Sequence, residues 1–194
     1  MIYSDVSSSG VRIVDQFDDA DIDIIRITVD KIPAHIRHLM YTVSGTHIDI
    51  VNSGIITRHP MYRDLADEKV LGGVTFAECK GISPNGRFGG LPGVVCYKCN
   101  NFAYNLYHEY GHALDYYVYG IHYGPINPNL RDTWNSLLKP SIGDTYYDRS
   151  EEYFAHALAL YMDKSPTLLQ VCGGKVYEFI DYLVNNHSRR VICT

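Results

Sequence analysis

The densest chemistry in this chain lies in five consecutive residues: His108, Glu109, Tyr110, Gly111 and His112. They form an H-E-x-x-H pattern inside a stretch with helical character. In a helix, residues i and i+4 sit one turn apart on one face. Two imidazoles so placed can hold a single metal ion from the same side. The carboxylate between them can take a proton from a water at that ion. The chemistry this offers is metal-assisted hydrolysis of a peptide bond. Nine histidines and six glutamates in 194 residues would produce roughly 0.01 such patterns by chance. The motif is therefore read as a site and not as coincidence.

A catalytic zinc usually takes three protein ligands and leaves one position open. His108 and His112 supply two, and the third must come from a second element. Glu151-Glu152-Tyr153-Phe154-Ala155-His156 offers it. Phe154, Ala155, Leu158 and Met162 give this segment an apolar helical face, while Glu152 and His156 share another as i and i+4. An acid on this packed helix, near enough to face the first, is a good third ligand. Glu151 lies about 100° around the helix from Glu152 and can also serve as a cap residue. A thermolysin-like order would place the third ligand nearer, about 20 residues after the second histidine. Asn127 and Asn129 occupy that region, and no acid occurs before Asp132.

These side chains need elements to position them. Asn100 or Asn101 can cap a helix that runs through about Tyr119 and stops at Gly120. A long loop with Gly124, Pro125 and Pro128 follows. Asp148-Arg149-Ser150-Glu151 fits a capping box that opens the second helix, which runs to about Asp163. Short apolar-periodic segments near Leu168 to Val171 and Val176 to Val184 complete the chain. Upstream, the β-branched run Ile22 to Val29 predicts a strand. Pro33 begins a helix with Ile36, Leu39 and Met40 at helical spacing. Ile48 to Val51, Val74 to Glu78 and Gly93 to Tyr97 read as further strands, with a turn at Ser83-Pro84-Asn85-Gly86. Residues 1–100 thus form a sheet-rich N-terminal lobe and residues 101–194 a helical lobe with the metal site, in one domain over 1–194. That order suits a zincin, an α+β fold in which a small mixed sheet covers the H-E-x-x-H helix. An edge strand there can take an extended peptide as an added strand, and Gly93-Val94-Val95 is the candidate edge.

His108-Glu109-Tyr110-Gly111-His112-Ala113-Leu114-Asp115, followed by Glu152-Tyr153-Phe154-Ala155, resembles the anthrax lethal factor type of metallopeptidase. That group includes the lethal factor catalytic domain and secreted bacterial Pro-Pro endopeptidases. Its pattern is H-E-[FL]-G-H-A-[VI]-D, then E-[FY]-F-A-E, and the 40 residues from His112 to Glu152 match its spacing. The resemblance implies a zinc endopeptidase in which His108, His112 and Glu152 bind Zn2+ and Glu109 is the general base. Asp115, one turn past His112, would orient a ligand imidazole through its other nitrogen. The family also places a tyrosine shortly before the third ligand to hold the oxyanion. Tyr146 and Tyr147 both lie there. The chain departs from the pattern at His156, where the family has glutamate. A histidine at that position can hydrogen-bond a ligand, become an extra ligand or simply pack.

The bulk numbers narrow the partners. A net charge of −5 without a basic stripe disfavours nucleic acid and anionic membrane. No apolar run approaches the roughly 18 residues of a membrane span, and Met1 to Asp5 has no basic-then-apolar leader pattern. The expected partner is a peptide or protein substrate, with the chain acting as a monomer, either cytoplasmic or as a mature secreted form. Two other readings remain. One is a catalytically inactive zincin-fold binding module. The other is a redox protein built on Cys96-Tyr97-Lys98-Cys99, against which stands the reading of Cys96 and Cys99 as structural residues at a strand end.

Overall fold

The computed structural model of the chain describes residues 4–6, 9–44, 48–70, 73–83, 91–138, 149–163 and 172–185. Five short strands form one mixed sheet: β1 (Ser4–Val6), β2 (Val11–Ile13), β3 (Ile48–Val51), β4 (Gly81–Ile82) and β5 (Gly93–Cys96). Their order across the sheet is β1-β2-β3-β5-β4. The central pairs β2–β3 and β3–β5 are parallel, and the outer pairs β1–β2 and β5–β4 are antiparallel. Parallel neighbours require a crossover. Between β2 and β3 it consists of α1 (Asp19–Asp30) and α2 (Ala34–Leu39). After β5 the described chain is helical: α3 (Phe102–Leu114), α4 (Pro128–Leu137), α5 (Ser150–Met162) and α6 (Gly174–Asn185). The architecture is thus the expected α+β, with a small mixed sheet and mostly helical content. No helix among the described residues is long and apolar enough to cross a membrane.

Side chains alternate across a strand, so a sheet covered on both faces needs apolar residues at every position. The two central strands are buried along their whole length and are apolar except at Asp49. Ile48, Ile50 and Val95 face the main core with α1, α2, α3, α5 and α6. Val51, Val94 and Cys96 face a smaller core with Ile56, Tyr62 and Phe76. On that second face, Asp49 is fully buried beneath two side-chain partners. Arg12 grips it with Nε at 2.8 Å and Nη2 at 2.7 Å, and His59 Nε2 lies 3.0 Å away.

The segment Ile22 to Val29 is α1 and not a strand. Asp18 decides it: its carboxylate accepts from Asp21 N and caps the helix, after which Ile25, Thr28, Val29 and Ile32 fall on one buried side. Val74 to Glu78 forms turns, with a single bridge between Thr75 and Lys69. The long loop after Gly120 contains α4, which begins with Pro128 at its first turn and the Asn127 side chain accepting from Leu130 N. Gly93-Val94-Val95 is not an edge. It belongs to β5, which is flanked by β3 and β4, and among the described residues the edge on that side is β4. The expected turn at Pro84 to Gly86, the Leu168 to Val171 segment and Asp148 of the capping box lie outside the described residues.

Candidate metal centre

α3 is entered through Asn101 in a left-handed conformation, with φ of 63° and no side-chain cap. The expected asparagine cap is absent. Asn105 instead donates from its side chain to the Asn100 carbonyl. The helix continues past Leu114 in a wider turn, Asp115–Tyr119, and Gly120 ends it at φ of 63°. A Cβ at Gly120 would lie 2.1 Å from the Pro125 carbonyl oxygen, so only glycine fits.

α3 packs chiefly against α5. Gly111 sets how closely, since a Cβ there would come 3.0 Å from Ala155 Cα and 3.3 Å from Leu158 Cδ2. The lack of a side chain at 111 lets the helices approach until Glu152 reaches the histidine pair. His108 Nε2 lies 3.1 Å and His112 Nε2 3.3 Å from the same oxygen, Glu152 Oε2. The two rings meet edge to face at 4.8 Å between centroids. The donor atoms of all three residues lie within 4.8 Å of one another, the one such group of His, Cys, Asp and Glu among the described residues. Two imidazole nitrogens and a carboxylate oxygen, all largely buried and converging, form a donor set that fits a catalytic zinc.

Electrostatics around this point are strongly perturbed. Burial pushes the Glu109 carboxyl up to about 8, with the Glu152 charge adding to the rise and His112 opposing it. Burial also pulls His108 below its ordinary value. His112 feels the same burial, but its bond to Glu152 and the charges of Glu109, Glu152 and Asp115 outweigh it and raise the imidazole. Glu109 lies hard against the sheet edge: a Cβ on Gly81 of β4 would be 2.8 Å from Glu109 Oε1. Glu151 turns away to Arg149, whose Nε lies 3.0 Å from Glu151 Oε1, and stands outside the ligand group.

Asp115 engages neither ligand imidazole. Oδ1 accepts from the backbone N–H groups of Ile121 at 2.7 Å and His122 at 3.0 Å, and Oδ2 pairs with His122 Nδ1 at 2.7 Å. His122 Nε2 lies 2.7 Å from Ser150 Oγ, which accepts from Trp134 Nε1 at 2.9 Å. This chain ties the end of α3 to α4 and to the first residue of α5, two positions before Glu152. Sequence reasoning missed His122, Ser150 and Trp134. The lone tryptophan in a polar helix was the available signal. His156 lies outside the ligand group and bonds Tyr104 instead, with Nδ1 2.6 Å from the hydroxyl. Tyr146 and Tyr147 lie outside the described residues.

The cysteines give the redox reading no support. Cys79, Cys96, Cys99 and Cys172 are all free. Burial pushes the Cys96 thiol up to about 12 and Cys79 up to about 11, the opposite of an activated thiolate.

A mixed sheet over the helix of an H-E-x-x-H motif, with a glutamate delivered from the next long helix, is the zincin-like arrangement. The chain belongs to the anthrax lethal factor family: the model described as "Anthrax toxin lethal factor, N- and C-terminal domain" matches residues 11–183. In fold it is similar to the Pro-Pro endopeptidase PPEP-2 from Paenibacillus alvei, with a TM-score of 0.67 and 22% identity over 88% of this chain and 96% of that one. No curated protein matches it by sequence. The resemblance seen in the two helix motifs is borne out for family and fold.

Proposed function

We propose that the chain is a zinc-dependent endopeptidase in which His108, His112 and Glu152 hold the metal and Glu109 is the general base. The observation that carries this reading is the meeting of both imidazoles on one Glu152 oxygen, with Glu109 buried beside them. Zinc held there supplies a Lewis acid and lowers the pKa of a bound water to about 7. Glu109 accepts a proton from the attacking water at a carboxylate oxygen and returns it to the leaving amine nitrogen. The raised carboxyl of Glu109 belongs to the metal-free protein, and a dication nearby favours its ionised form. A tyrosine hydroxyl, from Tyr146 or Tyr147 by family resemblance, donates to the oxygen of the tetrahedral adduct. Asp115 acts at a distance, holding the turn that leads to His122 and α5.

The substrate in this reading is a peptide or protein segment in extended form. β4 supports that geometry, because among the described residues it is one edge of the sheet and its Gly81 lies against Glu109. The test is zinc per chain in purified protein beside His108→Ala, followed by a peptide library that includes Pro-Pro sequences. About one equivalent, lost in the variant, with hydrolysis of at least one peptide class, is the expected result. Stoichiometric zinc without any hydrolysis would reassign the chain as a binding module on this fold. Failure to take up offered zinc would refute the metal site.

A further inference from the structure

Ligand histidines in metal sites almost always donate their second ring N–H to a carboxylate or carbonyl, and this fixes the ring. His108 departs from that rule. Its Nε2 faces Glu152, while its Nδ1 is fully buried and meets no hydrogen-bond partner among the described residues. The ring must be oriented by packing. His112 meets it edge-on, and Tyr104, one turn earlier on α3, stacks on it at 5.9 Å with 28° between planes. Tyr104 is in turn fixed from the other helix. Its hydroxyl is 2.6 Å from His156 Nδ1, one turn beyond Glu152 on α5, and the two rings lie 5.8 Å apart.

The pairs 104–156 and 108–152 run in opposite directions along the two helices, so α3 and α5 pack antiparallel. The Tyr104–His156 bond is one rung of that ladder and the ligand pair His108–Glu152 is the next. A bond across one rung restrains the adjacent rung in both spacing and rotation. His156 stands where the family pattern has glutamate.

We propose that Tyr104 and His156 form a positioning pair that holds the His108 ring for metal binding, in place of the hydrogen bond its Nδ1 lacks. The inference rests on the metal-site reading above. Neither residue touches the reacting atoms. Losing an orienting partner of a metal ligand costs about 10- to 100-fold in metal affinity.

The test is the zinc dissociation constant of the full chain, measured by competition with a chromophoric chelator, together with the thermal midpoint of the zinc-free protein. Tyr104→Phe keeps the stacked ring and removes the bond. Zinc affinity should fall about tenfold while the zinc-free midpoint stays near wild type. His156→Ala should weaken zinc to a similar extent, and the double variant should be no weaker than the worse single one. His156→Asn, which retains a polar atom near the Nδ1 position, should recover most of the loss. Unchanged affinity in Tyr104→Phe, or additive losses in the double variant, would overturn the pair while leaving the metal site intact. A wild type that binds no zinc would overturn both.

Discussion

Gly81 offers the sharpest test of how the sheet would position Glu109, the proposed base. A Cβ at this position would lie 2.8 Å from Glu109 Oε1, 2.9 Å from Cγ and 3.2 Å from Cδ. Comfortable contacts start at about 3.5 Å, so in Gly81→Ala the carboxyl arm must retreat by about 0.5 Å. The backbone at Gly81 is not left-handed, so alanine adds no conformational strain there. The cost falls on Glu109. A catalytic group must be held within about 0.5 Å of its productive place, and a 1 Å error can cost about 100-fold. Gly81→Ala should therefore lower kcat about 10- to 100-fold on the best library peptide. Zinc content should not change, because the ligands lie on α3 and α5. Overpacking should cost at most about 1–3 kcal/mol of stability, read from urea unfolding. Wild-type kcat in this variant would refute the claim that β4 positions the base. Loss of zinc would show that the strain travels to the ligand helices instead.

Three further outcomes follow from the geometry. Glu109→Gln should keep zinc and lose about 100- to 10,000-fold in kcat; undiminished hydrolysis would remove Glu109 from the mechanism. Burial works to raise the Asp49 carboxyl, but the hydrogen bonds from His59 and Arg12 and the Arg12 charge outweigh it and hold it below its ordinary 3.8. A carboxyl lowered on folding contributes stability that is fully present above 3.8 and is lost as pH falls through the folded value. The stability gap between zinc-free wild type and Asp49→Asn should accordingly narrow as pH falls below 3.8, and Arg12→Ala should cost about 1–2 kcal/mol at neutral pH, since the Arg12 side chain is partly exposed. A pH-independent gap would contradict the pairing. Gly120→Ala must both enter the left-handed region and clear a backbone oxygen 2.1 Å away, so a loss of about 2 kcal/mol or more is expected in denaturant unfolding.

The parts of the site readable from sequence were those written in local periodicity. His108, Glu109 and His112 are set by one helical turn, whereas the choice of Glu152 over Glu151 rests on the resemblance to the family's E-[FY]-F-A-E pattern. Ile48 to Val51 coincides with β3, because the alternation of Ile48, Asp49 and Ile50 places both isoleucines on the main-core face. Ile22 to Val29 misled because its isoleucines satisfy both a period of two and a helical spacing. Only Asp18, a capping residue just upstream, separates the two. α4 was hidden in a polar stretch, although Asn127 followed by Pro128 is the start signal of a helix. The sheet edge was not legible at all: β4 is two residues long, too short for any periodicity, and its place depends on the crossover order. The bonds of Asp115 to residues 121–122 and of Tyr104 to His156 are tertiary. The family resemblance gives Asp115 a place beside a ligand imidazole, but its position one turn past His112 fits equally well a carboxylate that closes the end of its own helix.

The Gly111–Ala155 contact links these levels. A glycine in mid-helix sacrifices about 1 kcal/mol of helix propensity relative to alanine, and α3 bears that cost at its most demanding position. The compensation lies in distance. Any Cβ at 111 would press within 3.0 Å of the α5 backbone and force the helices apart. A carboxylate has a fixed reach, and Glu152 meets both imidazoles with one oxygen at 3.1 and 3.3 Å. The same closeness lets Tyr104 and His156 bridge the helices one rung away. The x positions of H-E-x-x-H are therefore not neutral in this chain. Gly111 faces the helix that carries Glu152, and its missing side chain sets the spacing on which the proposed metal site would depend.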